Sequence, residues 1–209
     1  AWLYPAARGS LLEGVMYRFS VLFVAIFVCT GANAGPKFHY EDLRLFDQAL
    51  QEIAAGADPV ESMEGYVTDA SIAFNGFAER YEVTAESIAT QYAKRPIYYG
   101  GLPGIEDWLR EQEPDIIGAL DRLVELAPGG DSVPVYLLVA DQKAGGTPIP
   151  IESEDGITAV IAIAVDAIAL TSETDMSEFP NGAGGRAERA DLPQVVVHET
   201  VHVLQVSAQ

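Results

Sequence analysis

The stretch that most constrains this chain is Val195-Val196-Val197-His198-Glu199-Thr200-Val201-His202-Val203-Leu204-Gln205. It reads H-E-x-x-H inside an apolar run. On a helix, positions i and i+4 lie one above the other on the same face. The spacing therefore sets two imidazoles where one cation can be gripped by both, with Glu199 one residue on from the first and close to the metal's open side. Two histidines and a carboxylate in this order are the pattern that binds Zn²⁺ and uses the glutamate as general base. The bland alternative is a chance pair of histidines on an amphipathic helix. The specificity of the five-residue motif favours the metal, and the intact Glu199 favours catalysis over a structural site.

Two histidines do not complete a catalytic zinc site, which uses three protein ligands and keeps a fourth position for water. The extended pattern H-E-x-x-H-x-x-G-x-x-H would place a glycine and a third histidine further along. Here those positions hold Gln205 and Ala208, which excludes that subclass. Asp166, Glu173, Asp175 and Asp191 are upstream alternatives. The preferred expectation is a carboxylate beyond Gln209, because only seven residues follow His202. On that reading the domain is truncated at its C-terminus and inactive as it stands. Two imidazoles suit several transition metals, so zinc is an expectation from the motif and not from the ligands alone.

The other end of the chain reads as a targeting segment. Met16-Tyr17-Arg18 is a short basic start, Phe19 to Cys29 is apolar apart from Ser20, and Ala32-Asn33-Ala34 is a small-x-small cleavage pattern. Residues 1–15 then read as upstream translation, residues 16–34 as a signal peptide cut after Ala34, and residues 35–209 as the domain. The apolar run is short for a bilayer span, so no stable membrane insertion is expected after cleavage. Val28 stands where lipid attachment at Cys29 wants a small residue, which argues against a lipoprotein. Cys29 is the one cysteine in the sequence. Without it disulfides and thiolate ligands are excluded, leaving His and carboxylate as zinc ligands. The destination is periplasmic or secreted.

Charge closes off other classes. With 12 basic against 31 acidic residues, net −19, the chain lacks the basic footprint of a nucleic-acid or anionic-membrane binder. Its 49% hydrophobic content places it among globular chains.

Within the domain, Leu43, Phe46, Leu50 and Ile53 recur at helical spacing, and Gly56 and Pro59 stop that helix. His39, in the loop ahead of it, reads as a surface or turn residue and not as a ligand. Met63 to Tyr81 reads as a second helix bent near Gly76, Thr84 as the N-cap of a third, and Pro114 as the opening of another. Tyr98 and Tyr99, in a loop by composition, read as core or cap packing ahead of lining a substrate groove. After the Pro128-Gly129-Gly130-Asp131 boundary the periodicity changes. Val133–Ala140 and Ile157–Leu170 read as buried strands, the second interrupted by Asp166, and Gly145-Gly146-Thr147-Pro148 as a turn or loop. Helices, then strands, then the motif helix give an α+β fold: a helical part over 38–127, then a small, mostly antiparallel sheet and the HExxH helix over 131–209. A substrate peptide can add to an edge strand beside the metal, and Ile157–Val165 is the strand expected there, ahead of Val133–Ala140.

Several features in order carry a resemblance. They are Tyr66-Val67 with Phe74-Asn75-Gly76-Phe77, Pro96 to Tyr99, Pro134-Val135-Tyr136-Leu137-Leu138-Val139, Gly145-Gly146-Thr147, and His198-Glu199-Thr200-Val201-His202-Val203-Leu204-Gln205. Together they resemble the bacterial exported predicted zinc-dependent proteases, which are distantly like the gliding-motility lipoprotein B group. The resemblance implies a zincin-like metallopeptidase domain with His198 and His202 as zinc ligands and Glu199 as base, acting on a peptide or protein substrate. It names no particular substrate. The second expectation, from another class, is a non-catalytic periplasmic or envelope protein that keeps the HExxH helix as a structural metal or packing element.

Overall fold

The computed structural model describes residues 35–127, 132–153, 156–180, 182 and 187–207. The signal-peptide reading of residues 16–34, the upstream segment 1–15 and the Pro128–Asp131 boundary lie outside the described residues. The architecture is α+β, with seven α-helices and one four-stranded sheet among the described residues. In chain order these are β1 (Phe38–His39), α1 (Glu41–Ala54), α2 (Pro59–Asp69), α3 (Ile72–Tyr81), α4 (Ala85–Lys94), α5 (Pro96–Gly100) and α6 (Ile105–Val124). They continue as β2 (Val135–Leu138), β3 (Gly146–Ser153), β4 (Gly156–Ala164) and α7 (Leu192–Ser207). Among the described residues no helix is long and apolar enough to cross a membrane.

The helical layer is built from the periodicity of its sequence, with local chemistry setting the joints. Leu43, Phe46 and Leu50 of α1 are buried as their spacing requires. Pro59, a stop signal for α1, also opens α2, where Asp58 accepts hydrogen bonds from the Val60 and Glu61 amides. The stretch from Met63 to Tyr81 is two helices and not one bent at Gly76. Ser71 caps α3 by accepting from the Phe74 amide, and the buried Asp42 of α1 accepts from both the Ser71 amide (2.8 Å) and its hydroxyl (2.6 Å). Thr84 caps α4 in a reciprocal box with Ser87. Pro114 lies inside α6 and does not start a helix. Its ring deletes one N–H bond, and the buried Leu109 before it and Ile116 and Leu120 after it hold the helix through the gap.

The sheet is mixed, which corrects the expectation of a mostly antiparallel one. Strand order is β1-β2-β4-β3, with β1–β2 and β2–β4 parallel and only β3–β4 antiparallel. The cause is the insertion of β4 between β2 and β3. Val160 to Ala164 is an unbroken apolar run buried on both faces, the signature of a central strand. The Gly-Gly-Thr-Pro segment is also corrected. Apart from Gly145 it is not a turn but the start of β3, an edge strand. Prolines at 148 and 150 are tolerated there because alternate positions turn their missing donors to the outside.

Side chains end the inner strands early. The Tyr66 hydroxyl donates to the Val139 carbonyl (2.8 Å) and accepts from its amide (3.2 Å), stopping β2. β4 gives way to a 3₁₀ turn at Val165–Ala167, where Asp166 is fully buried. Its carboxylate accepts from the Ala140 amide (2.8 Å), the Gln142 amide (2.9 Å) and the Tyr99 hydroxyl (3.1 Å). Tyr98 and Tyr99 are buried packing residues on α5. His39 lies in β1 rather than a loop; it stacks on Tyr136 and bonds Glu41 at 3.0 Å.

Helices cover both faces of the sheet. Close approach marks the two contacts: a Cβ on Gly76 of α3 would meet Ile149 of β3, and a Cβ on Gly146 would meet Ile163 of β4 and Glu199 of α7. Cross-strand partners share a face. Gly146 and Ile163 therefore face α7, and Ile149 and Val160 face α3.

Candidate metal centre

The motif segment is helical, as its spacing requires. Leu192, Val196, Thr200 and Val203 form the buried stripe of α7, and Thr200 ties its hydroxyl back to the Val196 carbonyl at 2.8 Å. The histidines fall on the opposite, exposed side. That division follows from the 3.6-residue repeat: the stripe that packs on the sheet leaves positions 198 and 202 outside the core.

On that exposed face the two rings converge. His198 Nε2 and His202 Nε2 are 3.1 Å apart, with the rings nearly perpendicular and their centroids 4.7 Å apart. Two imidazoles on one tetrahedral zinc, each about 2.0–2.1 Å from it, have their nitrogens about 3.3 Å apart. The separation of the two nitrogens is close to that spacing.

Glu199 sits differently. It is 9% exposed and points to the sheet side of the helix, where its Cγ lies 3.1 Å from the place a Cβ on Gly146 would take. Burial pushes its carboxyl above the usual range, and the opposing pull of His198, His202 and Arg80 offsets part of that. A carboxylate so placed holds a proton more readily than a solvated one, the property a general base needs.

A cleft of about 500 Å³ opens beside these residues. Lys143, Gly145 and Gly146 line one wall, and Asp191, His198 and Glu199 line the other. The Asp166 carboxylate fixes the first wall by holding the amides of Ala140 and Gln142, the latter at a positive φ of 63°. Lys143 is itself anchored, donating to the Tyr81 and Glu82 carbonyls and pairing with Asp141 at 2.9 Å.

None of the upstream carboxylates joins the histidines. Asp166 is spent on the backbone bonds just described. Glu173 and Asp175 line another cavity, with Ile97 and Arg189. Asp191 shares the cleft, but seven helical positions set it about 10 Å along the axis from His198. Its carboxylate caps the Glu188 amide at 3.0 Å. Among the described residues no three His, Cys, Asp or Glu side chains are placed to hold one ion.

The strand beside the centre is β3, not Ile157–Val165, which is β4 and lies in the middle of the sheet. Gly146 and Arg80 are the site residues that the sequence alone does not single out. A glycine starting a strand whose prolines alternate at 148 and 150 was the available signal for the first. Nothing local marks Arg80. Comparisons of the chain with protein-family models, curated proteins and solved structures give no match. The arrangement itself is therefore what bears on function.

Proposed function

We propose that this chain is an exported zinc-dependent metallopeptidase that hydrolyses peptide bonds at the His198–Glu199–His202 centre. The observation that supports it most is the 3.1 Å approach of the two Nε2 atoms, together with a buried Glu199 on the wall of the adjoining cleft. His198 and His202 would hold the ion through Nε2, as two of the three protein ligands such a site uses. Bound zinc supplies Lewis acidity, polarising the scissile carbonyl and acidifying a water. Glu199 accepts the proton of the attacking water and delivers it to the departing amine. The Gly146 side of the cleft positions the peptide, and the low exposure of Glu199 keeps bulk water from competing for its proton.

Zinc analysis of the purified full chain tests this reading. The expected result is one zinc per chain, lost in His198→Ala and in His202→Ala, with cleavage of a casein-derived peptide pool by the parent protein. Zinc at unit stoichiometry without hydrolysis of any peptide would sink it. That outcome would favour the second reading, a non-catalytic envelope protein whose HExxH helix is a structural metal or packing element. The packing of Leu192, Val196 and Val203 into the core supports that alternative.

A further inference from the structure

The edge of β3 that faces away from β4 is unusual in what it can donate. Ala164 donates its amide to the Gly145 carbonyl at 3.0 Å, and Gly146 pairs opposite Ile163. In an antiparallel ladder the bonded positions alternate. Gly145, Thr147, Ile149 and Ile151 therefore bond β4, whereas Gly146, Pro148 and Pro150 turn their backbone groups outward. Prolines have no N–H. From Gly146 to Ile151 the outward edge thus carries one donor, the amide of Gly146.

The acceptors are restricted too. Arg80 of α3 reaches across the edge, its Nη1 donating to the Pro148 carbonyl at 3.5 Å. Beyond that point lies a separate cavity of about 440 Å³, lined by Gly76, Glu79, Arg80 and Pro148 to Pro150. The metal-side cleft takes in Gly145 and Gly146 but not the prolines. The single outward donor is therefore also the strand residue packed against Glu199.

We propose that a peptide substrate is held along β3 by a single backbone pair at Gly146, so that recognition is confined to the residues flanking the scissile bond. This rests on the peptidase reading and specifies its substrate class: short peptides, or short accessible segments of longer chains, bound without extended strand pairing. An ordinary edge strand would gain two amide–carbonyl bonds for every second residue of an added strand. Here a full donor–acceptor pair forms only at Gly146, because Pro148 and Pro150 offer a carbonyl without an amide and the Pro148 carbonyl is already contacted by Arg80. The same prolines blunt the edge against pairing with other chains, a role compatible with this one.

The test is a series of peptides sharing one scissile pair and lengthened a residue at a time at either end. With the full zinc-loaded chain, kcat/KM is expected to rise over the first flanking residue and then stay level within about twofold. Restoring donors with Pro148→Thr and Pro150→Thr should lower KM for the longest peptide by about tenfold at unchanged kcat, as one or two new hydrogen bonds would. Pro150→Thr alone, at an exposed position, provides the same readout should the double variant fold poorly. A steady tenfold gain with each added residue in the parent protein, or no change of KM in the variants, would overturn the proposal. Failure to cleave any peptide would instead overturn the peptidase reading and this inference with it.

Discussion

At the scale of single residues, Gly146 carries more than its size suggests. A Cβ there would lie 2.9 Å from Ile163 Cδ1, 3.1 Å from Glu199 Cγ and 3.3 Å from the Ala162 carbonyl oxygen. Ile163 can turn its terminal methyl aside, but the Ala162 backbone cannot move, so Glu199 must. Gly146→Ala is therefore expected to cost about 1–3 kcal/mol of stability by overpacking. It should lower peptide turnover while leaving zinc affinity intact, because the atoms nearest that Cβ belong to Ile163, Glu199 and Ala162 and not to either histidine. Urea melts beside a zinc titration would check both halves; an equal loss of zinc affinity would contradict the separation of base from ligands. The histidines and Glu199 were legible in the sequence because their geometry is local to one helix. Gly146 and Arg80 were not, because each meets the site through the register of β3 against β4 and the packing of α3 on β3, which no short window of residues encodes.

At the scale of elements, the joints between helices depend on a few buried polar groups. Asp42 is 1% exposed and binds Ser71 twice, fixing where α2 ends and α3 begins. Burial raises its carboxyl above the usual range even though the Ser71 bonds pull the other way. Asp42→Ala strands the Ser71 amide and should destabilise the fold by about 1–3 kcal/mol. A denaturant midpoint unchanged from the parent protein would show that the junction does not need it. Helix positions followed from apolar spacing at Leu43, Phe46 and Leu50. The break at Ser71 and the continuity through Pro114 did not, since one depends on a carboxylate 29 residues away and the other on core contacts on both sides of the proline. The sheet shows the same division. The apolar run of β4 announced a buried strand, but its place between β2 and β3, and hence the parallel pairing, depends on partners far apart in the chain.

At the scale of the whole molecule, Asp166 couples stability to pH. Burial is the main influence on its carboxyl and pushes it up to about 6, against the opposing pull of the Ala140, Gln142 and Tyr99 bonds. The folded protein then holds a proton on this group that the unfolded chain has released. Its contribution is fully present below about pH 4 and is lost as pH rises through about 6, a span of about 3 kcal/mol. Asp166→Asn should flatten that slope and, by weakening the hold on Gln142, loosen the cleft wall. Thermal melts across pH 4 to 7 would read the difference, and parallel slopes in the two proteins would contradict it. Other buried carboxylates, Asp42 and Glu199 among them, are also raised, so the parent slope is a sum and the comparison with Asp166→Asn isolates one part of it.

The wall that Asp166 holds, the edge strand that starts at Gly146 and the motif helix α7 meet at His198 and Glu199. The most direct test of that convergence is the rate of peptide-pool hydrolysis by Glu199→Gln and the parent protein, compared at equal bound zinc. Loss of a positioned general base at unchanged metal content should lower the rate by about 10²–10⁴-fold, since the amide keeps the side chain's shape but cannot take the proton. Equal rates in the two proteins would contradict the role given to Glu199, and with it the catalytic reading of the centre.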